Sequence, residues 1–263
     1  MDIRTVQTET FSMEYVRFGH GPRTLAIFPG LAVQSVLASA DAVAAAYRAF
    51  AAEFTVWLFD PVKEIPPAYD VRGMARDAAA AFRALGLAEA CVFGASQGGM
   101  LAMLLAATHP ELVGKLLLAS TTAHVTAERG REIERWGALA RANRPGELFR
   151  AFAEAVYPSG VAATLRDAFA QAAETVGERD LARFAALAGT LRGFDARTEL
   201  AKIACPALVV GSRDDRVFGE RAAAEVAAAI PGAELFLYDG CGHAVYDTAG
   251  DFAGRMLSFF RRA

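Results

Sequence analysis

Apolar and polar side chains alternate over Arg4–Glu9 and again over Met13–Phe18, the period of half-buried antiparallel strands. Gly19-His20-Gly21-Pro22 marks a turn after them. From Thr24 onward the pattern changes to short, mainly apolar runs: Thr24–Phe28, Phe54–Phe59, Ala90–Phe93, Val113–Ala119 with Lys115 near its start, Ala207–Gly211 and Glu234–Tyr238. The unbroken run Thr24–Phe28 is typical of a strand buried on both faces, and Phe54–Phe59 and Val113–Ala119 read as buried strands too. Helical spacing fills the gaps between them. Ala38–Ala52 carries Val43, Tyr47 and Phe50 at that spacing, and Gly73–Gly86 carries Met74, Ala78, Phe82 and Leu85 before a glycine stop. Gln97–Thr108, Arg221–Ile230 and Phe252–Arg261 complete the set. Strand and helix in alternation predict an α/β protein, a mostly parallel central sheet with helices on both faces.

The alternation lapses between about Thr122 and Arg197. No strand pattern occurs there. Helical patterns follow one another instead, over Glu128–Ala142, Gly146–Val156, Val161–Val176 and Arg179–Leu191, separated by Pro145, Pro158-Ser159-Gly160 and Gly177. Leu181, Phe184, Leu187 and Leu191 form an apolar stripe that predicts packing onto the main domain. The expected organisation is a core domain of residues 1–121 and 198–263 with an all-helical insertion, 122–197, lying over the strand ends as a lid.

Composition narrows the function. Of the 263 residues 54% are hydrophobic and 22% charged, which suits a single large globular unit, and a net charge of −3 offers no basic footprint for nucleic acid. The longest apolar stretches, such as Met100–Ala107, are too short to span a bilayer, and Met1-Asp2-Ile3-Arg4-Thr5 has no signal-peptide apolar core. The three cysteines, Cys91, Cys205 and Cys241, are scattered, with no metal-ligand or disulfide spacing. The expectation is a cytoplasmic protein with no metal, no cofactor, no nucleic-acid partner and no membrane span. Its oligomeric state is not legible.

The candidate chemistry begins at Gly94-Ala95-Ser96-Gln97-Gly98, between an apolar run and a helix. Gly-x-Ser-x-Gly in that setting predicts a sharp, strained strand-to-helix turn that pushes the serine hydroxyl out of the fold. A Cβ at Gly94 or Gly98 would collide with the neighbouring strand or helix. The helix after the turn aims its free N–H groups at the serine. A serine hydroxyl needs a base, and a base needs an orienting acid. Ligands of open parallel sheets bind beyond the carboxyl ends of strands. The residues expected there are Leu31, Asp60, Ser96, Asp214, Asp215 and His243, which contain the order Ser…Asp…His. His243, between glycines in the last loop, is the base; His20, His109 and His124 read as turn, helix-end and surface or lid residues. Asp214 and Asp215 are adjacent and cannot both point at His243. Asp60, Asp239 and Asp247 rank below them.

Together the elbow Gly94-Ala95-Ser96-Gln97-Gly98-Gly99, His109-Pro110-Glu111, the acid loop Gly211-Ser212-Arg213-Asp214 and Gly240-Cys241-Gly242-His243 resemble the α/β-hydrolase fold superfamily, in its cap-containing, esterase-like members. The resemblance spans nearly the whole chain. It implies an acid three residues after the glycine closing its strand, Asp214 after Gly211, and oxyanion donors at the backbone N–H groups of Leu31 and Gln97. Two departures stand out. Pro29 occupies the place where the family usually has histidine before Gly30, and Asp60-Pro61-Val62-Lys63 replaces a Gly-x-Gly after the fourth strand.

The expected activity is hydrolysis of a carboxylic ester or related small acyl substrate. Ser96 is nucleophile, His243 base and Asp214 orienting acid, with Leu31 and Gln97 holding the oxyanion. The same residues would serve thioester, lactone or carbon–carbon hydrolysis, acyl transfer or cofactor-free perhydrolysis, and the fold also permits a non-catalytic small-molecule-binding module.

Overall fold

The computed structural model describes residues 1–262. Its sheet has eight strands: β1 (Arg4–Gln7), β2 (Ser12–Phe18), β3 (Arg23–Phe28), β4 (Phe54–Phe59), β5 (Ala90–Ala95), β6 (Val113–Ala119), β7 (Ala207–Ser212) and β8 (Glu234–Tyr238). They lie in the order β1-β2-β4-β3-β5-β6-β7-β8. The two alternating segments pair antiparallel at one edge, and all other pairings are parallel. From β3 the chain steps outward to β4 and then returns to the other side of β3 as β5. The direction of winding therefore reverses between β3 and β5, and the crevice at such a switch point is where open α/β sheets bind ligands.

Eleven α-helices occur among the described residues: α1 (Ala40–Ala46), α2 (Val71–Leu85), α3 (Gln97–Thr108), α4 (Arg131–Arg141), α5 (Pro145–Val156), α6 (Ser159–Thr175), α7 (Glu178–Gly189), α8 (Arg197–Leu200), α9 (Ala222–Ala229), α10 (Val245–Thr248) and α11 (Phe252–Arg261). Successive side chains of a strand face opposite ways, and β5 shows the consequence. Val92 joins a core with residues of α2 and α3, while Cys91 and Phe93 join a second core with residues of α1 and α11 on the other face. No helix among the described residues is long and apolar enough to cross a membrane.

The helix expected over Ala38–Ala52 is divided. Val36–Ser39 is a 3-10 turn, α1 covers Ala40–Ala46, and Arg48–Phe50 is again 3-10. Three residues per turn place side chains three apart on one side. Tyr47 and Phe50 accordingly both turn into the second core, their rings 5.6 Å apart and edge-on. α8 and α10 are four residues each, too short to show a period in the sequence.

The stretch after β6 holds α4–α7 and no strand. The chain leaves and re-enters through a narrow neck, where Val125 N–H donates to Phe194 and Ala196 N–H donates to Ala123, both at 2.8 Å, around a single bridge between His124 and Asp195. The stripe Leu181, Phe184, Leu187 and Leu191 is buried, in the same core as α2 and α3.

Candidate active site

Ser96 stands between β5 and α3 at φ 51°, ψ −116°, a conformation costly for any residue with a Cβ. The surrounding packing enforces it. A Cβ on Gly94 would lie 2.5 Å from the Gly98 carbonyl oxygen, and one on Gly98 would lie 2.2 Å from that of Phe28. Real Cβ atoms do not approach so closely, so both glycines are needed for α3 to press against β5 and β3. The turn is also held by hydrogen bonds from Ser96 N–H to Ala119 O at 2.9 Å and from Thr121 Oγ1 to Ser96 O at 2.8 Å.

His243 Nε2 lies 3.0 Å from Ser96 Oγ, and its Nδ1 lies 2.9 Å from Asp215 Oδ2. A carboxylate only accepts, so the Nδ1 proton points at Asp215 and the Nε2 lone pair faces the serine hydroxyl. All three residues are buried. The His243 backbone is fixed by its N–H bond to Val156 O at the end of α5, 2.9 Å, and the Phe218 ring packs edge-on against the imidazole at 5.3 Å.

The structure brings Asp215 to His243, and not Asp214. β7 continues one residue beyond Gly211, to Ser212, and Arg213 N–H still bonds to Tyr238 O of β8. The chain then turns inward, and Asp215 Oδ1 accepts from the N–H groups of Val217 at 2.8 Å and Phe218 at 3.1 Å. Asp214 is left exposed on the outside of this turn, accepting from Ser212 Oγ and, at 3.0 Å, from Gly242 N–H. Burial pushes its carboxyl up, but the bonds from Ser212 and the Gly242 N–H outweigh that and leave it below the ordinary value. Asp214 thus shapes the loop that carries His243. Counting from the glycine misses by one because the glycine is not the last residue of the strand.

The lower-ranked acids have other partners. Asp60 is buried and pairs with Arg183 of α7 at 3.2 Å. Asp239 pairs with Arg213 at 2.8 Å. Asp247 accepts from Tyr157 Oη at 3.1 Å. Among the other histidines, His109 lies beside Arg83 and His124 beside Arg129.

Gly30 and Leu31 follow β3 directly beside Ser96, where a Cβ on Gly30 would lie 3.1 Å from Ser96 Cβ. Gln97 opens α3, so its N–H is one of the amides a helix leaves without an internal acceptor. Nothing in the sequence marks the role of its side chain. Buried, it donates to Leu187 O at 2.9 Å and Thr190 Oγ1 at 2.8 Å, tying the elbow to α7. A cavity of about 810 Å³ lies between α5 and α6, lined by Phe149, Ala153, Phe169 and Ala173 among others, and does not include Ser96. No group of three or more His, Cys, Asp or Glu among the described residues is placed to hold a metal ion.

A serine on a strained strand-to-helix turn, set at the switch point of a doubly wound sheet and linked to a histidine and an aspartate, is the arrangement that defines α/β hydrolases. The model of the alpha/beta hydrolase family matches residues 17–255, and the chain belongs to that family. Among curated relatives, the "Putative carbamate hydrolase RutD" of Rhizobium rhizogenes is 30% identical over 207 residues, covering 75% of this chain and 77% of that protein. Its namesake from Serratia proteamaculans is 28% identical over 212 residues, 73% of each. Among solved structures, MGS-M2, an alpha/beta hydrolase enzyme from a Medee basin deep-sea metagenome library, aligns with TM-score 0.88 at 19% identity, over 99% of this chain and 98% of that one. The enol-lactonase of Burkholderia xenovorans LB400 aligns with TM-score 0.85 at 19% identity, over 98% and 100%. At such identities the structural likeness speaks to the fold.

Proposed function

We propose that this α/β hydrolase cleaves a small carboxylic ester or related acyl compound through an acyl-enzyme on Ser96. The observation that carries the reading is the unbroken line of hydrogen bonds from Asp215 through His243 to Ser96, at 2.9 and 3.0 Å. Ser96 Oγ adds to the carbonyl carbon while His243 Nε2 takes its proton. Asp215 holds the imidazole in the tautomer that can accept and stabilises the cation formed. The N–H groups of Leu31 and Gln97 receive the negative charge on the carbonyl oxygen. His243 then gives its proton to the departing alkoxide, which leaves as the alcohol. Water adds to the acyl-enzyme by the same steps, and the carboxylic acid is released with Ser96 restored.

Residues 122–197 act as a cap in this reading. Two hydrogen bonds from Gln97 to α7 and the bond from His243 N–H to the end of α5 couple it to the nucleophile and base. Ser96 is only 8% exposed, which favours a compact acyl group. The name carried by the curated relatives supports a second substrate at the same residues, a carbamate, in which the departing atom is nitrogen or oxygen on a carbonyl of the same geometry. Turnover of acetate, butyrate and octanoate esters and of a simple carbamate, with products identified, tests both. The reading expects short esters or the carbamate to be cleaved by wild type and not by Ser96→Ala; equal rates in the two proteins would overturn it.

A further inference from the structure

The loop that carries His243 continues into α10, and one helical turn after the base it places a carboxylate with no cation beside it. Asp247 reaches solvent and accepts one hydrogen bond, from Tyr157 at the end of α5, leaving its other oxygen without a donor among the described residues. None of the ion pairs in the described residues includes it, although nearly every other acid near the site has an arginine or a pair of amides. Burial by its surroundings pushes its carboxyl above the ordinary value, with the Tyr157 bond drawing it partly back. Without a protein cation beside it, that carboxylate is open to a cationic group on a ligand.

The neighbouring residue points the same way. The Tyr246 ring packs edge-on against Phe93 of β5, 6.4 Å between centroids, and its hydroxyl reaches the oxyanion loop, 3.6 Å from where a Gly30 Cβ would lie and thus next to Ser96. It has no hydrogen-bond partner among the described residues, and burial and then the charge of Asp247 push it far above the ordinary phenol value. Tyr47 flanks the same Phe93 ring at 6.4 Å. Tyr157 and Tyr246 thus stand beside Asp247, and Tyr246 joins the base loop to the oxyanion loop. Electron-rich rings with a carboxylate suit a protonated amine better than a neutral or anionic group.

We propose that Asp247, with Tyr157 and Tyr246, forms a subsite for a protonated amine carried on the leaving-group half of the substrate. The assignment to that half rests on the hydrolase reading above. His243 must return its proton to the departing atom, so the leaving group lies nearest the base and the loop that follows it.

The test pairs two substrates of nearly the same shape, 2-(dimethylamino)ethyl acetate, protonated at pH 7, and 3-methylbutyl acetate, which is neutral. Asp247→Asn keeps an acceptor for Tyr157 and removes only the charge. The ratio of kcat/KM for the cationic over the neutral ester is expected to fall about tenfold from wild type to Asp247→Asn, the size of one partly desolvated charge pair. The neutral ester should change less than about threefold. Intrinsic reactivity cancels in this ratio of ratios. Calorimetric binding of 2-(dimethylamino)ethanol against 3-methylbutan-1-ol, to wild type and Asp247→Asn, makes the same comparison without turnover. An unchanged ratio, or amine binding indifferent to Asp247, would overturn the subsite. Charge-dependent binding without ester cleavage would support the subsite and overturn the hydrolysis of esters. A residue serving only to latch α5 onto α10 through Tyr157 would leave both readouts indifferent to charge.

Discussion

Asp215→Asn should lower kcat by about ten-thousandfold, while Asp214→Asn should change it by less than about fivefold. The geometry sets the difference. Asp215 Oδ1 is committed to the N–H groups of Val217 and Phe218 at 2.8 and 3.1 Å, so an asparagine there keeps its oxygen on those donors. Its NH₂ group then replaces the oxygen 2.9 Å from His243 Nδ1. Two donors cannot face each other, so the imidazole proton moves to Nε2 and points at Ser96. The base can no longer accept the hydroxyl proton. A wrong tautomer in an otherwise intact triad costs about four powers of ten, or about 5.4 kcal/mol of barrier. Asp214 is exposed, and an asparagine there still offers an oxygen to Gly242 N–H, now 3.0 Å away. Steady-state hydrolysis of 4-nitrophenyl acetate by the two variants, with circular dichroism to establish folding, reads the contrast. A loss of a thousandfold or more in Asp214→Asn alongside a nearly active Asp215→Asn would refute the assignment of the acid.

Three further outcomes follow from the packing. Gly98→Ala should destabilise by about 3 kcal/mol, because its Cβ would sit 2.2 Å from Phe28 O and 2.4 Å from Pro29 O, both backbone. Calorimetry should show Tm lower by about 6 to 12 °C, and an unchanged Tm would contradict the close approach. Arg183→Ala should leave Asp60 buried without its cation, costing about 3 kcal/mol. Burial already pushes the Asp60 carboxyl up and Arg183 opposes this, so losing the arginine raises it further. The folded variant then holds that proton more tightly than the unfolded chain does, and its stability falls as pH rises above the unfolded value of about 3.9. Urea titrations should find a deficit from wild type that is small near about pH 4 and grows as pH rises; a deficit constant with pH would contradict this. Finally, burial pushes the Cys205 thiol up to about 11. Thiolate at pH 8 is then about a hundredfold scarcer, and the greater nucleophilicity of a basic thiolate restores about tenfold. Alkylation of Cys205 by iodoacetamide, followed by mass spectrometry, should run about tenfold slower than that of an exposed thiol, and an equal rate would contradict its burial.

The parallel sheet was legible because its inner strands are buried, and even the half-exposed edge strand β8 keeps an apolar run. Phe54–Phe59, Val113–Ala119 and Glu234–Tyr238 stand in the sequence as apolar runs with the bounds they have in the fold. The elbow was legible because its glycines are demanded by contacts within a few residues and with the next strand. What escaped the sequence depends on where the chain goes after an element ends. The one-residue extension of β7 past Gly211 decides between adjacent aspartates, and no local pattern encodes it. The tight turns at Tyr47 and Phe50 are imposed by the core beneath them and not by helix propensity. The partners of Gln97, Asp60 and Asp247 lie 90, 123 and 90 residues away along the chain, beyond the reach of any spacing rule.

The central claim is that Ser96 is an activated nucleophile. Intact-mass analysis after treatment with a fluorophosphonate, followed by peptide mapping, addresses it without knowledge of the substrate. A single adduct on the peptide containing Ser96, absent from Ser96→Ala and slowed in Asp215→Asn but not in Asp214→Asn, is the expected result. An unmodified, folded wild-type protein, or an adduct that persists in Ser96→Ala, would contradict the claim.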